Sequence, residues 1–279
     1  MSIKLQQSGR VLTVIICRPD VRNAVDAEHA DALQEAFLNF DHNEAFDVAV
    51  LCGEGGAFCA GADLKSLAAT GIATRENAST HRSLEFPQDG SPLPRGPMGP
   101  TRLMLSKPVI AAIEGPAVAG GLELALWADC RVMAEGSYIG VYNRRWGIPL
   151  TDGGTVRLPR LIGEGRALEL IMTGRKVDAA ECMQIGFCNK VVAQGQAREE
   201  AERMAQDIAS FPQLALRADR RSLHLQYGLP EVEALRKEWY NCTGIFEAEG
   251  AGGAARFAQG VGRHGSFGRN SESQSAAGG

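Results

Sequence analysis

Residues 109–129, V-I-A-A-I-E-G-P-A-V-A-G-G-L-E-L-A-L-W-A-D, join an apolar strand candidate to a glycine-bearing loop and then to an apolar helix. A short run rich in β-branched residues, with no polar alternation, suits a sheet buried on both faces. Gly120 and Gly121 offer backbone N–H groups where the helix begins, and the first N–H groups of a helix have no internal partner. The helix dipole adds positive potential there. A bare N–H pair at such a point can receive a developing oxyanion. The one acid of the helix, Glu123, then lies about one turn further in. Pairing with a nearby arginine is the plainer role for Glu123. Its flanks, Leu122 and Leu124, argue instead for a position in a site.

Further buried strands are predicted at 11–17, 48–52 and 130–134, and a short strand at 190–192. A charged turn at 18–26 precedes a helix over 27–40, with Leu33, Ala36, Phe37 and Phe40 at helical spacing and Asp26 placed to cap it. Asp63 opens a short helix. Residues 70–100 carry Pro87, Pro92, Pro94, Pro97 and Pro100 and read as a helix near 75–85 within a long mobile loop. A helix is expected over 101–106, broken by Lys107-Pro108, and a loop over 138–155. Helices follow at 155–162, 166–173 and 178–185, and again at 197–210, 212–226, 230–247 and 250–259. The small and polar residues of 270–279 predict a disordered tail. Strands alternate with helices up to about residue 192, and only helices follow. The expected fold is α/β, with a core over 1–195, a helical region over 196–269 and the tail.

Composition excludes several classes of function. The chain has 279 residues, 44% of them hydrophobic, which is enough for a sizeable core. A net charge of −4 gives no basic field to attract nucleic acid. Cys17, Cys52, Cys59, Cys130, Cys182, Cys188 and Cys242 form an odd set without a C-x-x-C pair, so reduced, mostly buried thiols in a cytoplasmic protein are expected, and no metal site. Neither a signal peptide nor a membrane span is expected. No G-x-G-x-x-G or Walker loop supports dinucleotide or ATP chemistry. His81, His224 and His264 stand in no triad-like motif.

The loop at 53–65, G-E-G-G-A-F-C-A-G-A-D-L-K, repeats the design of the opening stretch. Each loop follows a buried strand and enters a helix through small residues: Ala60-Gly61-Ala62 in one, Ala119-Gly120-Gly121 in the other. Two such junctions can aim two N–H groups at one carbonyl oxygen, although glycines also simply permit tight turns. F-C-A-G-A-D-L-K at 58–65, preceded by R-N-A at 22–24 and followed by K-P-V-I-A-A-I-E-G-P-A-V-A-G-G-L-E-L-A at 107–125, resembles the enoyl-CoA hydratase/isomerase, or crotonase, superfamily. The resemblance covers about residues 11–265. It implies a spiral of β-β-α units with a C-terminal helical region used in trimer assembly, trimers often pairing into hexamers. It implies an acyl-CoA thioester ligand and no separate cofactor, with the N–H groups of Ala60 and Gly120 as oxyanion donors.

Hydratases of this superfamily use two glutamates flanking a water, and Glu123 falls on the first. The second is missing. Counting back from Gly153-Gly154-Thr155 places Asn143 there, or Tyr142 if the register slips by one. An amide orients a water but exchanges no proton. Asp152 is the compensating candidate, since some superfamily members carry a working aspartate in this region; its alternative role is to cap the helix starting near 154. One of Arg144 and Arg145 is placed either to pair with Glu123 or Asp152, or to line the pocket rim; a solvated basic loop is equally open. Tyr142 and Trp146 are expected to shape the acyl pocket. The resemblance places Arg22, Ala57, Ala60, Asp63, Leu64 and Lys65 along the CoA, with Phe257 and Arg263 closing over the adenine of a neighbouring subunit. It implies an enoyl-CoA hydratase first, then a double-bond isomerase or a non-catalytic acyl-CoA binder.

Overall fold

The computed structural model describes residues 3–70 and 85–260. The chain divides into two compact units, Met1–Ala205 and Gln206–Gly279.

The first unit is built on a six-stranded sheet. Its strands are β1 (Ile3–Ser8), β2 (Val11–Ile16), β3 (Val48–Gly53), β4 (Val109–Ile113), β6 (Cys130–Ala134) and β9 (Lys190–Val192), in the order β1-β2-β3-β4-β6-β9. β1 and β2 form an antiparallel hairpin turning at Gly9, and every later pairing is parallel. β2 and β4 are buried at every residue, and β3 at all but its last, as their β-branched runs require. β1, I-K-L-Q-Q-S, is almost wholly exposed and carries no apolar pattern to announce it. A second sheet joins β5 (Pro116–Val118), β7 (Tyr138–Gly140) and β8 (Val177–Asp178), in the order β5-β7-β8. Isolated bridges tie the first glycine loop to its neighbours: Cys59 to Ala117, and Ala62 to Val25.

α1 (Ala27–His42) is capped by Asp26, whose side chain accepts from the N–H of His29. Its apolar face buries Leu33, Phe37 and Phe40 completely. Burial of such side chains stabilises by about 1.5–3 kcal/mol each. Phe37 meets Trp127 edge-on at 4.8 Å, which docks α1 against α3 (Gly120–Trp127). Arg131 binds the carbonyls of Ala125, Ala128 and Asp129 and so closes the other end of α3. The short α2 (Leu64–Thr70) follows the first glycine loop. α4 (Gly154–Ile162), α5 (Glu164–Thr173) and α6 (Ala179–Gln184) complete the layer, and α7 (Ala197–Ala209) packs with Ala197, Ala201 and Ala205 fully buried.

Three expectations change. The helix over 101–106 is only a 3₁₀ turn, Pro100–Arg102. Asp41 takes the N–H groups of Ser106 and Lys107, and the Leu103 carbonyl turns to the Trp127 indole, so no helical ladder forms. The loop over 138–155 contains β7 and a 3₁₀ helix, Tyr142–Trp146. The boundary between units falls inside α7, because its alanine stripe belongs to the first unit. The predicted helix near 75–85, except for Glu85, and the 270–279 tail lie outside the described residues.

The second unit contains α8 (Gln213–Leu225), α9 (Glu231–Cys242), a π turn at Phe246–Gly250 and α10 (Ala251–Ala258). The helix expected over 230–247 thus ends at Cys242. Glu249 accepts from the N–H groups of Leu214 and Ala215 at the start of α8, and Asn241 donates to the Ala218 carbonyl. α9 and α10 bury no residue, and Val232, Trp239, Tyr240 and Phe257 are more than half exposed.

Candidate active site

The turn into α3 is strained. Ala119 adopts φ 52° and ψ −122°, a region that a residue with a Cβ enters at a cost of about 1–3 kcal/mol. Its N–H donates to the Gly140 carbonyl at 2.9 Å, and its carbonyl accepts from Glu123 N–H at 3.3 Å. This conformation leaves the Gly120 N–H at the helix start without a hydrogen bond among the described residues. The two glycine loops press together here. A Cβ on Gly61 would lie 2.9 Å from Gly120 N, and one on Gly121 only 2.1 Å from the Cys59 carbonyl. Met98 covers Gly120 from the other side.

On the first loop the N–H expected to face an oxyanion has a partner of its own. Ala60 N–H is already spent on the Arg22 carbonyl at 3.0 Å. Gly61 N–H points to Cys59 Sγ at 3.3 Å, and Asp63 N–H donates to the Val25 carbonyl at 2.8 Å. At the junction into α2, between the bonded N–H groups of Gly61 and Asp63, the Ala62 N–H makes no hydrogen bond among the described residues. Backbone pairing with residues 22–25 alternates along the loop, and this alternation moves the bare donor two residues past Ala60. Cys59 is wholly buried, and burial pushes its thiol up to about 12.

Glu123 is 3% exposed. Its Oε1 accepts from the N–H groups of Asp152 and Gly154, each at 2.8 Å. Burial, and then the nearby Asp152 charge, raise its pKa to about 7 despite those bonds. That value suits a group that both takes and gives a proton near neutrality. The fit is close: a Cβ on Gly154 would sit 3.0 Å from Oε1.

Asp152 is equally buried, but its Oδ1 accepts from Met98 N–H at 2.9 Å and from the Thr101 hydroxyl. Burial raises its pKa as well. It does not cap α4, where Gly153 holds the N-cap position with no side-chain bond. Its carboxylate anchors the 96–102 segment to the turn that grips Glu123. Arg157 completes this clasp, donating to the carbonyls of Asp152 at 2.8 Å and Thr101 at 2.7 Å.

Asn143 is 7% exposed, and its Nδ2 donates to the Ile148 carbonyl at 2.8 Å. Its Oδ1 is buried without a partner among the described residues, an acceptor open to a donor. Neither neighbouring arginine is bonded to Glu123 or Asp152. Arg144 donates to the Ile171 carbonyl, and Arg145 stacks 3.6 Å from the Tyr142 ring. Tyr142 is thereby held against Gly140, while Trp146 is 68% exposed.

Among the expected CoA contacts, Arg22, Leu64 and Lys65 are exposed, and the Ala57 carbonyl is bound by Asn23. Asp63 is committed to Arg18 and to the first turn of α2. Phe257 belongs to the second unit and is exposed, and Arg263 lies outside the described residues. Ala62, Met98, Thr101 and Arg157 are the site residues that sequence reasoning passed over. Only Ala62 carried a signal, as the residue completing A-G-A at the junction. Among the described residues no group of His, Cys, Asp and Glu could hold a metal ion, and no helix is long and apolar enough to cross a membrane.

The family model for enoyl-CoA hydratase/isomerase matches residues 6–259. The chain belongs to the enoyl-CoA hydratase/isomerase family. It is 34% identical over 239 residues to the enoyl-CoA hydratase EchA19 of Mycobacterium tuberculosis, covering 83% of this chain and 84% of that one. It is 36% identical over 237 residues to the carnitinyl-CoA dehydratase of Salmonella typhi, covering 84% and 85%. The crystal structure of enoyl-CoA hydratase EchA1 from Mycobacterium marinum superposes with a TM-score of 0.82 at 30% identity, over 93% of this chain and 96% of that one. The α/β architecture is thus the crotonase fold, and the chain is an enzyme of this hydratase/isomerase family.

Proposed function

We propose that this chain is an enoyl-CoA hydratase, with Glu123 as its acid–base residue and the N–H groups of Ala62 and Gly120 as its oxyanion donors. The observation that carries the reading is Glu123: buried, with a pKa near 7, one oxygen fixed by two backbone N–H groups, in the first turn of the helix that bares Gly120 N–H. The names of the relatives supply the acyl-CoA substrate class.

In this reading the oxygen of a water bonds to the β-carbon of a 2-enoyl thioester while Glu123 takes the water's proton. The electron pair of the double bond moves onto the thioester oxygen, where the two N–H groups hold the enolate. Glu123 then returns the proton to the α-carbon on the same face. Asn143 Oδ1 accepts a hydrogen bond from the water and fixes its position, without exchanging a proton. Asp152 holds the Glu123 turn and the 96–102 segment rather than moving a proton. The reversed sequence removes water from a 3-hydroxyacyl thioester, the direction named for the Salmonella relative. No cofactor beyond the substrate's own CoA enters any step, and a cytoplasmic setting fits a chain of reduced thiols. The exposed apolar side chains of α9 and α10 support self-association, as trimers or pairs of trimers.

A second reading is double-bond isomerisation, favoured by the count back from Gly153-Gly154-Thr155, which gives the amide Asn143 in place of a second proton-exchanging group. Incubation with crotonyl-CoA and longer 2-enoyl-CoAs, followed by loss of the conjugated thioester absorbance, separates the two. Hydration at some chain length is expected. Conversion of 3-enoyl-CoA to 2-enoyl-CoA with no hydration at any length would establish the isomerase instead. CoA-ester binding without either reaction would leave a non-catalytic binder.

A further inference from the structure

We infer that Arg18 is a positioning residue for the N–H of Ala62, a role that rests on the oxyanion reading above. Arg18 lies two residues beyond the end of β2, with its side chain largely buried. Its Nη1 donates to the Ala24 carbonyl at 2.5 Å. Its Nη2 lies 3.1 Å from Asp63 Oδ2 and 3.3 Å from Asp26 Oδ2. Each aspartate also works at a helix start. Asp26 caps α1, and Asp63 Oδ1 accepts from the N–H groups of Lys65 and Ser66 in α2. One planar cation therefore ties two helix-capping carboxylates together.

The chain segments that carry those aspartates run side by side. Three backbone bonds stitch them: Ala60 to Arg22, Val25 to Gly61 and Asp63 to Val25. Ala62 sits in the middle of this seam with its own N–H turned away from it. The direction of that N–H is set by the distance between the two segments, and Arg18 spans the same gap one layer out. Without the guanidinium, Asp26 and Asp63 would lose the cation they share, and Asp26 would keep the His29 ring at 2.5 Å from its Oδ1. A lysine keeps the charge but not the fork that reaches a carbonyl and two carboxylates together. A donor must meet the forming oxyanion at about 2.7–3.1 Å to be fully effective, so a small shift of the seam is felt in the rate.

The test uses Arg18→Lys and the milder Asp63→Asn, whose amide can still cap α2. Isotope-edited infrared spectra of crotonyl-CoA, ¹³C-labelled at the carbonyl and bound in a Glu123→Gln background that holds it unreacted, report the donors directly. The wild-type seam should lower the carbonyl frequency of the bound thioester, and both substitutions should shrink that shift. In the Glu123 background kcat should fall about tenfold to a hundredfold, less than the full loss of a donor, while KM changes by less than about threefold. Folded variants that keep the full carbonyl shift and the parent kcat would overturn the inference and leave the oxyanion reading standing. Absence of any carbonyl shift with the wild-type seam would remove the oxyanion reading, and the role of Arg18 with it.

Discussion

The two walls of the site are made of different material. The proposed oxyanion wall, residues 60–63 and 119–121, is backbone: fixed dipoles that carry no titrating proton and that hydrogen bonds aim. The proposed acid–base wall, Glu123 with residues 142–154, is side chain: groups whose charge depends on pH and on each other. The first wall stores its function in conformation, in the strained Ala119 and the stitched seam around Ala62. The second stores it in burial, which raises the pKa values of both Glu123 and Asp152. Damage to the first should appear as a loss of rate at every pH. Damage to the second should change the pH profile itself.

The largest effect is expected from Glu123→Gln. The amide oxygen still accepts from Asp152 and Gly154, so the fold should hold while kcat falls about 10²–10⁴-fold. With Glu123 present, kcat/KM for hydration should rise with pH through about 7, and the residual activity of the variant should lack that step. Stability moves the opposite way. The folded pKa lies above the ordinary 4.5, so the native state holds more protons than the unfolded chain between those values. Stability therefore falls as pH rises from about 4.5 to 7, and Glu123→Gln should flatten that slope in denaturant titrations.

Gly61→Ala attacks the other wall. The new Cβ would crowd Gly120 N at a backbone φ of 95°, so kcat should drop by about 10²-fold with the pH midpoint unmoved. A shifted midpoint would show that the two walls are not separable. The smallest loss is expected from Asp152→Asn. Its carboxylate serves Met98 N–H and Thr101, and an amide oxygen can keep the first of these bonds. Steady-state assays should find kcat within about tenfold of the parent, and a loss matching that of Glu123→Gln would make Asp152 a proton carrier after all.

The buried parallel strands were legible in the sequence because their hydrophobic runs are continuous, and α1 because its periodicity and Asp26 cap agree. β1, β5, β7 and β8 were not. Two are only three residues long and one only two, and the polar β1 draws its order from pairing with β2. Glu123 announced itself as an acid among leucines. The donor on the first loop did not, since Ala60 and Ala62 are chemically identical and only the Arg22 carbonyl distinguishes them. Met98 and Thr101 are brought to Asp152, and Arg157 to Thr101, by contacts that span more than fifty residues, beyond the reach of local pattern.

Cys59 lies one residue from the seam and three from Ala62. A thioester brought beside an ionised thiol is open to acyl exchange, which would strand the acyl group on the protein and release free CoA. With its proton held up to about 12 and its sulfur occupied by the Gly61 N–H, this thiol is chemically silent at neutral pH. The fold thus keeps a nucleophile within the wall of the proposed thioester site and denies it the charge it would need to compete for the acyl group.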